Sequence, residues 1–84
     1  MADGTVECYA GRHYPDRPTA FQWEGERLEV VEVERNWRTQ GIEYSNPVLY
    51  HYRVRTTAGY FHLIYDSDRD AWRIDKDLGL SADN

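Results

Sequence analysis

Apolar and polar residues alternate along the last third of the chain, which predicts three strands, Val48–Arg55, Tyr60–Asp66 and Ala71–Asp75. In the first, Tyr50, Tyr52 and Val54 share one face. In the second, Phe61, Leu63 and Tyr65 do so. A connecting loop with an even number of residues puts both sets on one side of the sheet. An odd loop would set the apolar set beside Arg53 and Arg55, burying guanidinium groups against hydrocarbon. The parity requires an even loop. Ala58-Gly59 suits a two-residue I′ or II′ turn poorly because Ala disfavours positive φ, so a four-residue loop, Thr56 to Gly59, with Gly59 left-handed, is expected. A second even loop, Ser67 to Asp70, brings Trp72 and Ile74 to the same core face. His51, Arg53, Arg55, Tyr60, His62, Ile64 and Arg73 fall on the other face, with Arg53 opposite His62 and Ile64 opposite Arg73.

Upstream, Val6–Tyr9 is a short first strand and Pro15–Pro18 punctuates the chain. Thr19–Trp23 is a strand, and Glu24-Gly25 is a turn. The Val-rich run Arg27–Trp37 loses its alternation in the middle. Leu28 and Val30 share one face, whereas Val31 and Val33 share the other. A helix would gather Val30, Val33 and Trp37, but three β-branched residues in four positions oppose it. A bulge at Val30-Val31 explains the slip, because one extra residue swaps the faces and bends the strand. Arg38 to Pro47 then forms a loop. Together these elements predict an all-β domain over residues 6–76. It is a small antiparallel meander of five or six strands, strongly bent or an SH3-like barrel, with frayed termini at 1–5 and 77–84.

The 84 residues fit one domain with a thin core, which the 14% aromatic content helps to fill. Such a chain leaves little room for an enclosed cavity of ~300 Å³ or more. The net charge of −5 disfavours sequence-independent DNA binding, which depends on neutralising phosphates. The lone Cys8 excludes an internal disulfide. The first residues lack the basic and apolar regions of a signal peptide, and no apolar stretch is long enough to span a membrane, so a cytoplasmic location is expected.

Nine of the ten cations are Arg, the residue suited to forked contacts with phosphate or carboxylate. Arg53, Arg55, Tyr60, His62 and Arg73 form a candidate binding face for an anion or a single-stranded nucleic acid. The competing reading is a cross-strand ladder in which Glu32 and Glu34 hold Arg53 and Arg55 without any ligand. Trp37 and Tyr44 are candidate contacts beside the Arg38–Pro47 loop, although Trp37 also suits the core.

No chemistry of bond-making is apparent. Cys8 and His13 lack further ligands at zinc spacing, and His51 and His62 belong to separate strands. Asp66, Asp68 and Asp70 begin like a calcium loop, but Ala71 and Asp77 stand where Gly and Glu are needed. Cys8 has no base and orienter nearby in sequence, and no glycine-rich phosphate loop follows a strand. The chain is expected to be a non-enzyme without metal or cofactor.

The motifs Pro18-x-x-Phe21-x-Trp23-x-Gly25, Val30–Val33, Trp37, Tyr52–Arg55 and Tyr65-Asp66…Trp72 together resemble a family of small bacterial β domains of unknown function. Its members occur alone or appended to relatives of Y-family, translesion-type DNA polymerases. The likeness runs from Val6 to Asp75. It implies a compact β domain with an accessory or interaction role near DNA-damage tolerance, and it assigns no catalytic residue. The expected function is thus a non-catalytic interaction module with a protein partner. The alternative is single-stranded nucleic-acid or anion binding through the Arg/Tyr/His face.

Overall fold

A computed structural model describes residues 2–9, 17–40 and 48–77. Its elements are β1 (Ala2–Gly4), β2 (Val6–Cys8), β3 (Pro18–Trp23), β4 (Glu26–Gln40), β5 (Val48–Thr56), β6 (Gly59–Asp66) and β7 (Ala71–Lys76). Every pairing is antiparallel, and the sheet order is β1-β7-β6-β5-β4-β3-β2. The all-β class is as expected. The sheet is strongly curled, the bent form of the two architectures anticipated. Among the described residues no helix is long and apolar enough to cross a membrane.

The last three strands follow the loop parity. Arg53 faces His62, and Ile64 faces Arg73. Tyr52, Val54, Phe61, Leu63, Tyr65, Trp72 and Ile74 are all buried in one cluster. The first loop is shorter than expected but keeps its parity. Thr56 pairs with Gly59, leaving Thr57 and Ala58 as the turn. Gly59 takes the positive φ of 115°, which an L side chain tolerates poorly. The Thr56 hydroxyl accepts from the Ala58 N–H at 3.0 Å and donates to the Gly59 carbonyl at 3.0 Å. In the second loop Asp66 accepts from the backbone N–H groups of Asp68 and Arg69, so the acidic run is organised as a hairpin turn.

β3 and β4 join at Glu24-Gly25, with φ of 51° and 84°. Two positive φ values make a type I′ turn, whose twist matches the flanking strands. Phe21 stands opposite Leu28 across this hairpin, and both are buried. Phe61 links the two halves of the core through edge-on contacts, with ring centroids 5.0 Å from Phe21 and 5.2 Å from Trp23. Such pairs contribute about 0.5–1.5 kcal/mol each beyond area burial.

The register of β4 slips at Val31, as the broken alternation predicts, and slips again at Glu34. Between the slips Val33 faces the buried Val54. After the second, Arg35 faces Arg53 and Trp37 faces His51. Trp37 therefore sits on the outer face, whereas a single bulge would have aligned it with Val33 on the core side. The strand also continues to Gln40, into a stretch expected to be loop.

The start of the chain differs most from expectation. Residues 1–5 were expected to fray, yet Ala2–Gly4 pair with Trp72–Ile74. Thr5 alone separates β1 from β2, which pairs with β3 at the far end of the sheet order. Residues 2–8 thus form one bent ribbon touching both ends of the curled sheet. The Gln22 N–H donates to the Thr5 carbonyl at the bend.

Candidate binding face

The outer side of the sheet carries the residues that the alternation assigned to it, joined by Asp75, although Ile64 among them is buried. β5 supplies His51, Arg53 and Arg55, β6 supplies Tyr60, His62 and Ile64, and β7 supplies Arg73 and Asp75. The second bulge of β4 adds Arg35 and Trp37.

The arginines at its centre are engaged. Arg53 Nε donates to Asp77 at 2.7 Å, and Arg53 Nη1 donates to Glu34 at 3.2 Å. Its guanidinium also lies 4.5 Å from the Tyr60 ring centroid. Arg55 Nη2 donates to Glu32 at 2.9 Å, and its Nε lies 3.7 Å from Glu34. The Asp77 and Glu32 hydrogen bonds are the main reason that the guanidinium pKa values of Arg53 and Arg55 rise above the usual one. The ladder between β4 and β5 is therefore present, with Asp77 as a member that the strand pattern could not supply. Arg73 is exposed and makes no ion pair with a described residue.

Beside this ladder lies an aromatic cluster. His51 Nδ1 and His62 Nε2 are 2.9 Å apart, and Thr39 Oγ1 is 2.8 Å from His51 Nε2. The Trp37 ring stacks on His51, nearly parallel at a centroid distance of 5.0 Å, and on His62 at 5.3 Å. The Arg35 guanidinium lies 4.9 Å from the Trp37 centroid. Burial pushes both imidazole pKa values below the ordinary 6.5. The charge of His62 pushes His51 down further, while Asp77 and Asp75 pull His62 partly back. The sequence named His62 and Trp37 but did not bring either to His51. Their meeting depends on the diagonal between β5 and β6 and on the second bulge. Tyr44 lies outside the described residues.

No group of three or more His, Cys, Asp or Glu that could hold a metal occurs among the described residues. Cys8 is buried.

A second feature lies at the sheet corner. β3 pairs with β4 only as far as Glu29. From Val30 to Thr39, the side of β4 away from β5 has no strand partner among the described residues. Where β3 and β4 part, an open groove of about 440 Å³ is lined by Arg17, Pro18, Thr19 and Val30–Val33. Val31, the bulged residue, is 54% exposed there. No sequence signal marks this groove, because it arises from the parting of two strands.

The curled antiparallel sheet, with a charged ladder on its outer face and one open edge, defines a small all-β domain. The family profile "Domain of unknown function (DUF6504)" matches residues 5–78, and the chain belongs to that family. No curated protein and no solved structure matches it.

Proposed function

We propose that the domain is a non-catalytic interaction module, and that the open edge of β4 is where a protein partner docks. One observation carries this reading. Among the described residues, β4 from Val30 to Thr39 has no strand partner on the side away from β5. This edge runs beside a groove lined by Val30, Val31 and Val33 together with Arg17 and Glu32, an arrangement suited to binding by strand addition. The exposed Val31, with the half-buried Val30 and Val33 beside it, offers apolar contact where such a partner strand would begin. The two bulges and the charges of β4 oppose indiscriminate edge pairing, the usual hazard of a long edge. The resemblance to polymerase-appended domains suggests a partner in DNA-damage tolerance. Support for the anion and nucleic-acid reading is weaker, because Glu32, Glu34 and Asp77 already hold Arg53 and Arg55.

The test is site-specific crosslinking in the producing cell. A photoreactive residue at position 17, on the groove wall, should give a defined protein adduct. That adduct should be absent from position 69 on the distant turn and lost in Val31→Asp. Equal adducts from both positions, or an adduct indifferent to Val31→Asp, would overturn the assignment of the edge. An oligonucleotide titration addresses the alternative. Binding that weakens steeply with salt and disappears in Arg53→Ala/Arg55→Ala would displace the protein-partner reading.

A further inference from the structure

The outer face holds a proton-sharing contact that the proposed function does not use. Two imidazole nitrogens 2.9 Å apart need one hydrogen between them, so one ring donates and the other accepts. Neutral tautomers satisfy this. One added proton also leaves it intact, since an imidazolium can donate to a neutral ring. The Thr39 hydroxyl at His51 Nε2 can turn to donate or accept as required. A second added proton makes both facing nitrogens donors and sets two like charges in contact. The hydrogen bond cannot then exist.

We propose that His51 and His62 form a proton-counting joint between β5 and β6, closed with zero or one added proton and opened by the second. Opening removes the stacked base on which Trp37 rests and so alters the outer face of β4. The surrounding charges set the order of protonation. Asp75 stands directly opposite His62 on β7, and Asp77 follows just beyond that strand. Both favour the imidazolium at His62. On β5, Arg53 faces His62 but is itself held by Glu34 of β4 and by Asp77. Arg35 on β4 lies against Trp37, and Arg73 on β7 lies across Ile64 from His51. Tyr60 on β6 lies against Arg53. His62 therefore takes the first proton, and His51 takes the second against the charge of its neighbour.

The test is a pH titration of the histidine ring signals and the Trp37 indole N–H signal by NMR, using the intact chain. His62 should titrate first, and His51 should follow more than about one pH unit lower, as coupled sites do. The Trp37 signal should move with the second step. In His62→Gln, His51 should titrate at a higher pH than in the wild type, because the neighbouring charge is gone. Both rings titrating together in one ordinary step would overturn the proposal. So would a Trp37 signal unmoved through the second step, or a His51 titration unchanged by His62→Gln.

Discussion

Gly4 offers a direct test of whether the first residues are part of the sheet. It pairs with Trp72, and a Cβ added there would lie 2.3 Å from Ile74 Cδ1 and 3.2 Å from Cγ1. Ordinary contact begins at 3.4 Å, so the methyl must move the isoleucine tip by about an ångström or push β1 off its partner. Ile74 is only 1% exposed, so its tip has no solvent to swing into. Overpacking of this kind costs about 1–3 kcal/mol. Against it, Ala restricts the unfolded chain more than Gly does, a gain of about 0.4–1 kcal/mol. The expected net loss for Gly4→Ala is about 1–2 kcal/mol. In urea, with a slope near 1 kcal/mol/M for so small a domain, the midpoint should fall by about 1–2 M.

The decisive arm is Ile74→Val, which deletes the clashing Cδ1. Alone it should cost about 0.5–1.5 kcal/mol. In the double variant the added methyl occupies the vacated space, so the two losses should fall short of additivity by about 1 kcal/mol. Strict additivity, or a Gly4→Ala variant as stable as the wild type, would refute the docking of β1 against β7.

Three further outcomes follow from the same packing. Phe61→Ala removes a fully buried ring that contacts Phe21 and Trp23; the expected loss of about 3–5 kcal/mol should abolish most of the cooperative thermal transition. Thr56→Val keeps the shape of a side chain that is 5% exposed but removes both turn hydrogen bonds; it should cost about 1–2 kcal/mol by urea denaturation, whereas Thr57→Val on the exposed neighbour should be near neutral. The lowered histidine pKa values fix the sign of a pH effect. Above the ordinary value of 6.5 both rings are neutral whether the chain is folded or not, and stability is full. As the pH falls from 6.5 toward 5, the unfolded chain takes up protons that the folded one resists, so the melting temperature should fall. His51→Gln should flatten that slope, and an equal slope in both proteins would refute the assignment.

The parts of the fold written in local periodicity were legible in the sequence. Alternation and loop parity place seven core residues of the meander correctly, because a slip of one residue would have buried Arg53 or Arg55. The first bulge was legible for a similar reason, since the adjacent apolar residues Val30 and Val31 break the alternation of the strand. The second bulge falls at Glu34 among polar residues, where no apolar signal marks the change of face. Trp37 was accordingly aligned with the core side, and the His51–His62–Trp37 cluster remained hidden. Asp77 joins the ladder only because the chain leaving β7 passes Arg53. Strand β1 was hidden because Ala2, Asp3 and Gly4 carry no strand signature. Their pairing rests on the backbone of β7 and on the absence of a side chain at position 4.

The ribbon of residues 2–8 also has a kinetic meaning. It pairs Ala2 with Ile74, so this segment leaves the ribosome well before the strand it pairs with. During synthesis the segment must wait, unpaired, until β7 has emerged. Non-local pairing of this kind is slow, with all-β domains typically folding in about milliseconds to seconds. The meander of β5, β6 and β7, built from neighbouring hairpins, can assemble first and present the template. Closure by the N-terminal ribbon is then the final step, and an obstruction placed on Ala2 should slow folding more than one placed on any hairpin turn.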